Sequence, residues 1–349
     1  MSTLYLHIGT PKTGTTAVQH FMFCNRKILS ELGCFVPDFG LRYKGIGYRR
    51  NAHWLLPFVR EEKQYRKCMR VLEENAKKYP AIFMSDEAIW NTCGSRPGYW
   101  KKLIEELAEI GIRLKVIAYV RRQDDYLYSY WAEQVRRGNT GAVNYREYKA
   151  ESPRVFEHLN YYRYFKTIIP VIGQENISIG IYESGRFQNL QDISRDMLSR
   201  IDEVQWSEKF QEPESEENAS LKDVPLLIRK YLNRMDAFRK NTPVLNEALL
   251  RVQKRLAAEG ELQGRKDFFM GKQSKVAGKY QTSNEKLARK IMGLEDGVLF
   301  ADRSVKEEEA VFSNEELVQA FGYLLLELGL TEKEGMKGLK RKLSMKLPH

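Results

Sequence analysis

In the first half of the chain, short apolar runs alternate with longer stretches in which apolar residues recur at helical spacing. The short runs, each bounded by turn residues, predict strands at about 4–8, 81–84, 115–120 and 177–182. The three- and four-residue spacing between them predicts helices at about 15–32, 62–79, 98–110 and 124–137. Strands that alternate with helices are typical of βαβ units, so the sequence predicts an α/β fold with a parallel sheet flanked by helices.

Beyond residue 185 the strand pattern stops and helical spacing continues. The predicted helices are 190–201, 220–240, 243–258, 283–293 and 314–328. Ser313 and Glu316 have the spacing of a capping box at the start of the last of these helices, and Thr331 and Glu334 repeat it further on. The predicted organisation is an α/β core over 1–185, a helical portion over 186–335 that packs with the core around one site, and a tail over 336–349.

The composition narrows the class of protein. The chain has 349 residues, of which 42% are hydrophobic and 30% charged, as expected of a globular protein with a substantial core. No apolar run approaches the ~18 residues of a membrane span. The four cysteines have neither paired nor metal-ligand spacing, which favours free thiols in a reducing compartment and predicts a cytoplasmic location.

The net charge of +11 is concentrated at the two ends of the chain. Residues 1–60 carry eight basic and two acidic residues, which predicts an anionic ligand near the N-terminus. Residues 336–349 carry five basic residues among leucines at helical spacing. A short basic amphipathic helix of this kind predicts peripheral contact with an anionic membrane surface, and the alternative is a frayed, solvated C-terminus. The sequence contains no recognised nucleic-acid reader motif, so nucleic acid is not an expected partner.

A glycine-containing loop, Gly9–Thr16, connects the first predicted strand to the first predicted helix. Such a turn directs backbone N–H groups and the positive end of the helix at one point, which suits a phosphate or sulfate group. Gly9 and Gly14 have the GxxxxG spacing of an NTPase P-loop, but Thr15-Thr16 follows where that motif has Lys-Ser/Thr. The lysine lies inside the loop instead, at Lys12.

The segment Pro11–Thr16 resembles the 5′-phosphosulfate loop of sulfotransferases, which use 3′-phosphoadenosine 5′-phosphosulfate (PAPS) as sulfuryl donor. The resemblance implies that Lys12 contacts the bridging oxygen of the leaving phosphosulfate. It assigns the donor-binding loop to Lys12, Thr13, Gly14, Thr15 and Thr16.

A second segment resembles the 3′-phosphate motif of the same family. Arg121 follows the third predicted strand, and Ser129 lies eight residues later in the next predicted helix. Arginine offers a planar fork of donors to phosphate oxygens, and the serine adds a hydroxyl. Tyr182, at the end of the fourth predicted strand, resembles the tyrosine that approaches the adenine.

Two further features favour the bacterial and carbohydrate-modifying branch of that family. The late glycine-rich loop of cytosolic members is missing, because Arg265-Lys266 is followed by Asp267. The segment Ser283–Lys290 resembles a C-terminal signature of bacterial members.

The residues after the second predicted strand are the candidates for the base that removes the acceptor proton. The resemblance makes Glu87 the first choice, because many carbohydrate-type members use a glutamate as base, and Asp86 the second. His53, beside Trp54, is the rival. Lysine and backbone donors can serve sulfuryl transfer, so no metal is expected.

The resemblance therefore predicts a PAPS-dependent sulfotransferase that acts on a hydroxyl of a glycan or lipid-linked glycan. Two alternatives remain from other classes. One is a P-loop-type nucleotide kinase, and the other is a non-catalytic nucleotide-binding protein.

Overall fold

A computed structural model describes residues 1–183, 186–187, 189–202, 204–212, 220–240, 242–262, 273–301 and 312–329. The strands are β1 (Ser2–His7), β2 (Cys34–Phe35), β3 (Ala81–Ser85), β4 (Ile112–Arg121) and β5 (Ile177–Tyr182). The helices of the first 200 residues are α1 (Thr15–Cys24), α2 (Arg26–Glu31), α3 (Glu62–Ala76), α4 (Ala88–Thr92), α5 (Pro97–Glu109), α6 (Gln123–Arg136), α7 (Tyr145–Glu151), α8 (Pro153–Glu157), α9 (Tyr161–Ile172) and α10 (Leu190–Leu198). The later helices are α11 (Asp223–Leu232), α12 (Asp236–Lys240), α13 (Thr242–Ala258), α14 (Gln273–Lys290) and α15 (Asn314–Glu327).

The five strands form one parallel sheet in the order β2-β3-β1-β4-β5. In the register of the central strands, His7 of β1 lies beside Ser85 of β3 and Ile117 of β4. Parallel strands need crossover connections, and the helices between the strands provide them. The predicted α/β class, with a parallel sheet flanked by helices, is confirmed.

Alternate residues of the central strands point to opposite faces of the sheet, and each face carries its own hydrophobic cluster. On one face, Leu4 and Leu6 pack with residues of α3, α5 and α9. On the other face, Tyr5 packs with residues of α1 and α10. This arrangement explains why the strands have nearly continuous apolar sequences, since both of their faces are buried.

Several local features differ from the predicted pattern, among them the following. The first predicted helix, 15–32, is divided at Asn25, whose side-chain amide donates to the Phe21 carbonyl and to the Gln211 carbonyl. Strand β2 is only two residues long, too short for a periodic signal. Helices α7 to α9 lie in a segment for which no helix was predicted.

The chain divides into two compact units, each made of three segments. The first comprises Met1–Gln123, Arg154–Glu216 and Ala277–Arg303, and it contains the whole sheet. The second comprises Asp124–Pro153, Glu217–Val276 and Ser304–His349. The units interleave along the sequence, so their bounds differ from the linear division predicted at residue 185.

Buried polar side chains connect the helices of the second unit. The fully buried guanidinium of Arg229 donates to Asn246 Oδ1 (3.1 Å) and Thr242 Oγ1 (2.9 Å), and Asn246 donates to the Arg136 carbonyl (2.6 Å). Burial lowers the pKa of Arg229 to about 10. Buried donors need such partners, so this network fixes how α6, α11 and α13 pack.

The capping box predicted at Ser313 is confirmed, because Ser313 and Glu316 each bond the other's backbone N–H. The second predicted capping box, at Thr331, and the basic tail, 336–349, lie outside the described residues. Among the helices that the structure describes, none combines the length and the apolar character that crossing a bilayer requires.

Gly180 provides a test of the sheet packing. A Cβ at this position of β5 would lie 2.4 Å from ring atoms of Tyr119, whose hydroxyl donates to Asp196. We expect Gly180→Ala to lower the free energy of unfolding by about 1–3 kcal/mol in urea titrations, because the ring cannot easily move away. Gly98→Ala is the control, since nothing lies within 4 Å of its Cβ. Equal stability of the two variants would contradict this packing.

Candidate active site

The residues that follow β1, β3, β4 and β5 meet at the carboxyl edge of the sheet, where α/β proteins commonly bind ligands. The loop 8–14 follows β1, and two backbone hydrogen bonds connect it to β4. Thr10 N donates to the Tyr119 carbonyl (2.9 Å), and Tyr119 N donates to the Gly9 carbonyl (2.6 Å). The loop is therefore an extension of the sheet edge rather than an independent segment.

The loop turns into α1 through residues with left-handed backbone. Lys12 has φ 67° and Gly14 has φ 74°. A Cβ at Gly14 would lie 2.4 Å from Ile193 Cδ1 and 3.2 Å from Tyr182 Cε2, so glycine is required both by conformation and by space. Thr13 Oγ1 donates to the Thr10 carbonyl (2.6 Å) and closes the turn.

The start of α1 suits an anion. Gly14 precedes the helix without a side-chain cap, and the first turn contains no acidic residue. Thr15 is buried and Thr16 is exposed at the first two helical positions. The N–H groups of a first turn have no partner within the helix, and the helix dipole favours negative charge beside them.

Arg121 connects the end of β4 to this loop. Its Nη1 donates to the Lys12 carbonyl (2.9 Å), and its guanidinium carbon lies 5.5 Å from the centre of the Tyr182 ring. The Tyr161 hydroxyl donates to the Arg121 carbonyl (2.7 Å). Lys12, Gly14, Arg121 and Tyr182 therefore surround one place at the sheet edge.

Asp86, the first residue after β3, is completely buried and accepts four hydrogen bonds. Arg50 donates to both carboxylate oxygens (Nη2 2.5 Å, Nε 3.1 Å), His53 Nδ1 donates at 2.8 Å, and Ala88 N donates at 2.7 Å. With both oxygens occupied, Asp86 is suited to positioning its neighbours rather than to accepting a proton from a ligand.

Glu87 lies beside the loop. A Cβ added at Gly9 would come within 3.1 Å of Glu87 Cβ. The carboxylate accepts from Gln19 Nε2 (2.9 Å) and lies 3.3 Å from Arg50 Nη1, and one fifth of the side chain remains exposed. Burial opposes the charge on Arg50, but the carboxylates of Asp86 and Glu87 outweigh it and raise the pKa of Arg50 above its usual value.

His7 is buried under this cluster. Its Nδ1 lies 2.9 Å from Ser85 Oγ, which also accepts from Gln19 Nε2 (3.1 Å). Burial, reinforced by the positive charge of Arg200, lowers the pKa of His7 to about 3. His7 is therefore neutral at physiological pH and supports the ends of β1 and β3.

The structure brings most of the sequence-predicted residues together. Lys12 to Thr16 form the loop and the start of α1, Arg121 and Tyr182 lie beside them, and Glu87 lies beside Gly9. His53 is buried against Asp86, with its ring 4.7 Å from that of Tyr43. Ser129 lies in α6 and belongs to the second unit, so its predicted pairing with Arg121 stays a prediction.

Sequence reasoning missed Arg50 and Gln19. Arg50 contributed only to the count of basic residues in 1–60, and nothing in its neighbourhood pointed to a carboxylate 36 residues away. Gln19 lies within the first predicted helix but belongs to no motif. Their roles depend on tertiary contacts across β3 and α1, which local patterns do not encode.

Throughout the ranges that the structure describes, no three His, Cys, Asp or Glu side chains form a group that could hold a metal ion. The arrangement instead offers the backbone N–H groups at the start of α1, the loop residue Lys12 and Arg121, with the carboxylate-bearing Glu87 beside Gly9. Such a site can bind a phosphate-containing ligand and accept a proton beside it.

Comparisons with known proteins give little further identification. No family model matches the chain, and no curated protein matches it. Among solved structures, a sulfotransferase from Alicyclobacillus acidocaldarius is similar at 16% sequence identity and a TM-score of 0.39, over 71% of this chain and 95% of that chain. A likeness at this level does not assign a family.

Asp86→Asn tests the buried cluster. Replacing one carboxylate oxygen by an amide removes the buried negative charge that Arg50 contacts at both oxygens and leaves only Glu87 beside that guanidinium, so we expect a loss of about 3–5 kcal/mol in the free energy of unfolding, measured in urea. Asp38→Asn, in the exposed pair with Arg42, is the control and should change stability by less than about 1 kcal/mol. If both variants unfold at the wild-type urea midpoint, Asp86 does not hold the cluster together.

Proposed function

We propose that this protein is a PAPS-dependent sulfotransferase that transfers a sulfuryl group to a hydroxyl of a glycan or lipid-linked glycan. The observation that carries the proposal is the hydrogen bond from Arg121 Nη1 to the Lys12 carbonyl. It places the two segments that resemble the 5′- and 3′-phosphate motifs side by side. A nucleotide with phosphates on the 3′ and 5′ positions of its ribose needs two cationic residues near each other, as Lys12 and Arg121 are.

The residues at the sheet edge fit the donor. The loop amides, Lys12 and the first turn of α1 would hold the 5′-phosphosulfate, and Arg121 would hold the 3′-phosphate. Tyr182, whose ring packs between Gly14 and Arg121, would contact the adenine. When bound, PAPS supplies the activated sulfuryl group, and no metal is needed for this donor set.

Glu87 is the preferred base, because its carboxylate is partly exposed and lies against the loop. Gln19 and Arg50 fix its orientation, so a hydroxyl that enters beside the loop would meet a positioned proton acceptor. Asp86 is fully occupied by four donors. His53 directs Nδ1 to Asp86, which leaves it as the rival through its other ring nitrogen.

The kinase alternative is less favoured. A P-loop lysine that reaches a triphosphate follows the second glycine, whereas Lys12 precedes Gly14 and has left-handed backbone within the loop. A non-catalytic nucleotide-binding protein would not need Glu87 beside the loop. Membrane contact by the basic tail and a cytoplasmic location stay predictions.

Arg121→Gln tests the donor assignment. We expect the affinity of this variant for adenosine 3′,5′-bisphosphate to fall about 10- to 100-fold by calorimetry, since a charged phosphate contact is lost. The fold-loss of affinity for ADP should be at least ten times smaller. Arg113→Gln, on the exposed start of the same strand, should change neither affinity. Equal losses for the two nucleotides would show that Arg121 does not recognise a 3′-phosphate.

Glu87→Gln tests the base. With labelled PAPS and a panel of glycan acceptors, we expect turnover to fall about 10²- to 10⁴-fold, because the amide cannot accept the proton. Affinity for adenosine 3′,5′-bisphosphate should stay within about threefold of wild type. The exposed Glu105→Gln is the control. A larger loss in His53→Asn than in Glu87→Gln would move the role of base to His53.

A further inference from the structure

A cavity of about 280 Å³ lies in the first unit, apart from the loop 8–14 and Arg121. Its walls come from the turn after His53, the start of α3, the end of α4 and one face of α5. This volume is close to the lower limit of roughly 300 Å³ for pockets that hold small molecules, and it far exceeds the ~30 Å³ of one water molecule. The cavity therefore has room for one ring-sized molecule and not for an extended chain.

The walls of the cavity are mostly apolar and aromatic. Leu55 and Leu103 contribute aliphatic surface, and Tyr65 and Tyr99 contribute phenol rings. Leu55, Tyr65 and Leu103 are all buried, so their positions are fixed by the core beneath them. A flat molecule with apolar C–H faces fits such walls, because aromatic side chains offer large rigid contact area.

Charged side chains line the same cavity, and positive charge exceeds negative. Arg60, Arg96 and Lys102 are the cations, and Glu106 is the single carboxylate. Glu106 already accepts hydrogen bonds from Arg60 Nη2 (3.0 Å) and the Tyr65 hydroxyl, and it lies 3.9 Å from Lys102 Nζ. With its carboxylate occupied, the cavity keeps a net positive potential that attracts an anion.

The cavity lies close to the candidate base along the chain. Glu87 immediately precedes α4, and Cys93, which follows α4, lines the cavity. At about 1.5 Å per helical residue, the two positions are roughly 9 Å apart. A sugar ring in the cavity could therefore belong to the same acceptor whose hydroxyl reaches Glu87.

We propose that this cavity binds a negatively charged sugar ring, of the uronate type, as a subsite for an anionic glycan acceptor. Arg96 and Lys102 attract its carboxylate, and Tyr65 and Tyr99 contact the ring. The role as an acceptor subsite rests on the proposed function, whereas binding of the charged ring by itself does not.

The test uses the full chain with glucuronate, glucose and inorganic sulfate as probes. Calorimetry should detect glucuronate binding and at least tenfold weaker binding of glucose and of sulfate. Glucuronate should also slow alkylation of Cys93 relative to Cys68, which does not line the cavity and serves as an internal control. Burial raises the pKa of both thiols, so the rate of each is measured with and without glucuronate, and only the two ratios are compared.

Variants at the rim separate specific binding from general charge attraction. Arg96→Gln and Lys102→Gln should each weaken glucuronate binding about three- to tenfold. Lys101→Gln removes the same charge from the same helix but does not line the cavity, and it should bind as wild type does. Equal affinity of all three variants for glucuronate would overturn the proposal.

Measuring adenosine 3′,5′-bisphosphate in the same samples keeps the two proposals distinct. Loss of glucuronate binding in Arg96→Gln with unchanged bisphosphate binding supports the subsite. Failure of glucuronate to bind wild type overturns the subsite even if the bisphosphate binds. If glucuronate binds but adenosine 3′,5′-bisphosphate does not, the charged-ring site is supported and only its connection to sulfuryl transfer is contradicted.

Discussion

Parallel pairing of β1 with β3 and β4 is the constraint on which the site depends. Parallel strands place all their carboxyl ends at one edge, so the segments after His7, Ser85 and Arg121 meet although they are far apart in the chain. Hydrogen bonds at Gly9, Thr10 and Tyr119 extend the pairing into the loop. The loop after β1 and the carboxylates after β3 thus share one edge because of the strand pairing itself, and the helices add the groups that orient them.

The buried carboxylate of Asp86 then orders one half of this edge. A buried charge is costly unless it is paired and hydrogen-bonded, and here Arg50, His53 and a backbone N–H satisfy it. Arg50 also approaches Glu87, so the same guanidinium that neutralises Asp86 orients the neighbouring carboxylate. Asp86, the first residue after β3, supports the site, and Glu87, the next residue, lies against the loop.

How much the sequence could predict depended on the range of the interactions. The apolar runs predicted β1, β3 and β4, because strands buried on both faces have nearly continuous apolar sequences, and the half-buried edge strand β5 has enough apolar residues to give the same signal. The loop residues Lys12 to Thr16 and Arg121 were predictable because their motifs are contiguous or lie at the end of a strand. Arg50 and Gln19 were not, since a buried ion pair and an amide bridge join residues with no shared local pattern. The sequence made Asp86 a candidate base from its position alone. Only the four hydrogen bonds that it accepts in the structure indicate that it positions its neighbours instead.

The central claim is that the loop after β1 and the end of β4 bind one nucleotide through its 5′- and 3′-phosphates. A crystal structure of the full chain with adenosine 3′,5′-bisphosphate measures this directly. The account predicts the 5′-phosphate at the amides of residues 12–16 and the 3′-phosphate within hydrogen-bond distance of the Arg121 guanidinium. A nucleotide bound elsewhere, or one whose 3′-phosphate points into solvent away from Arg121, would contradict it.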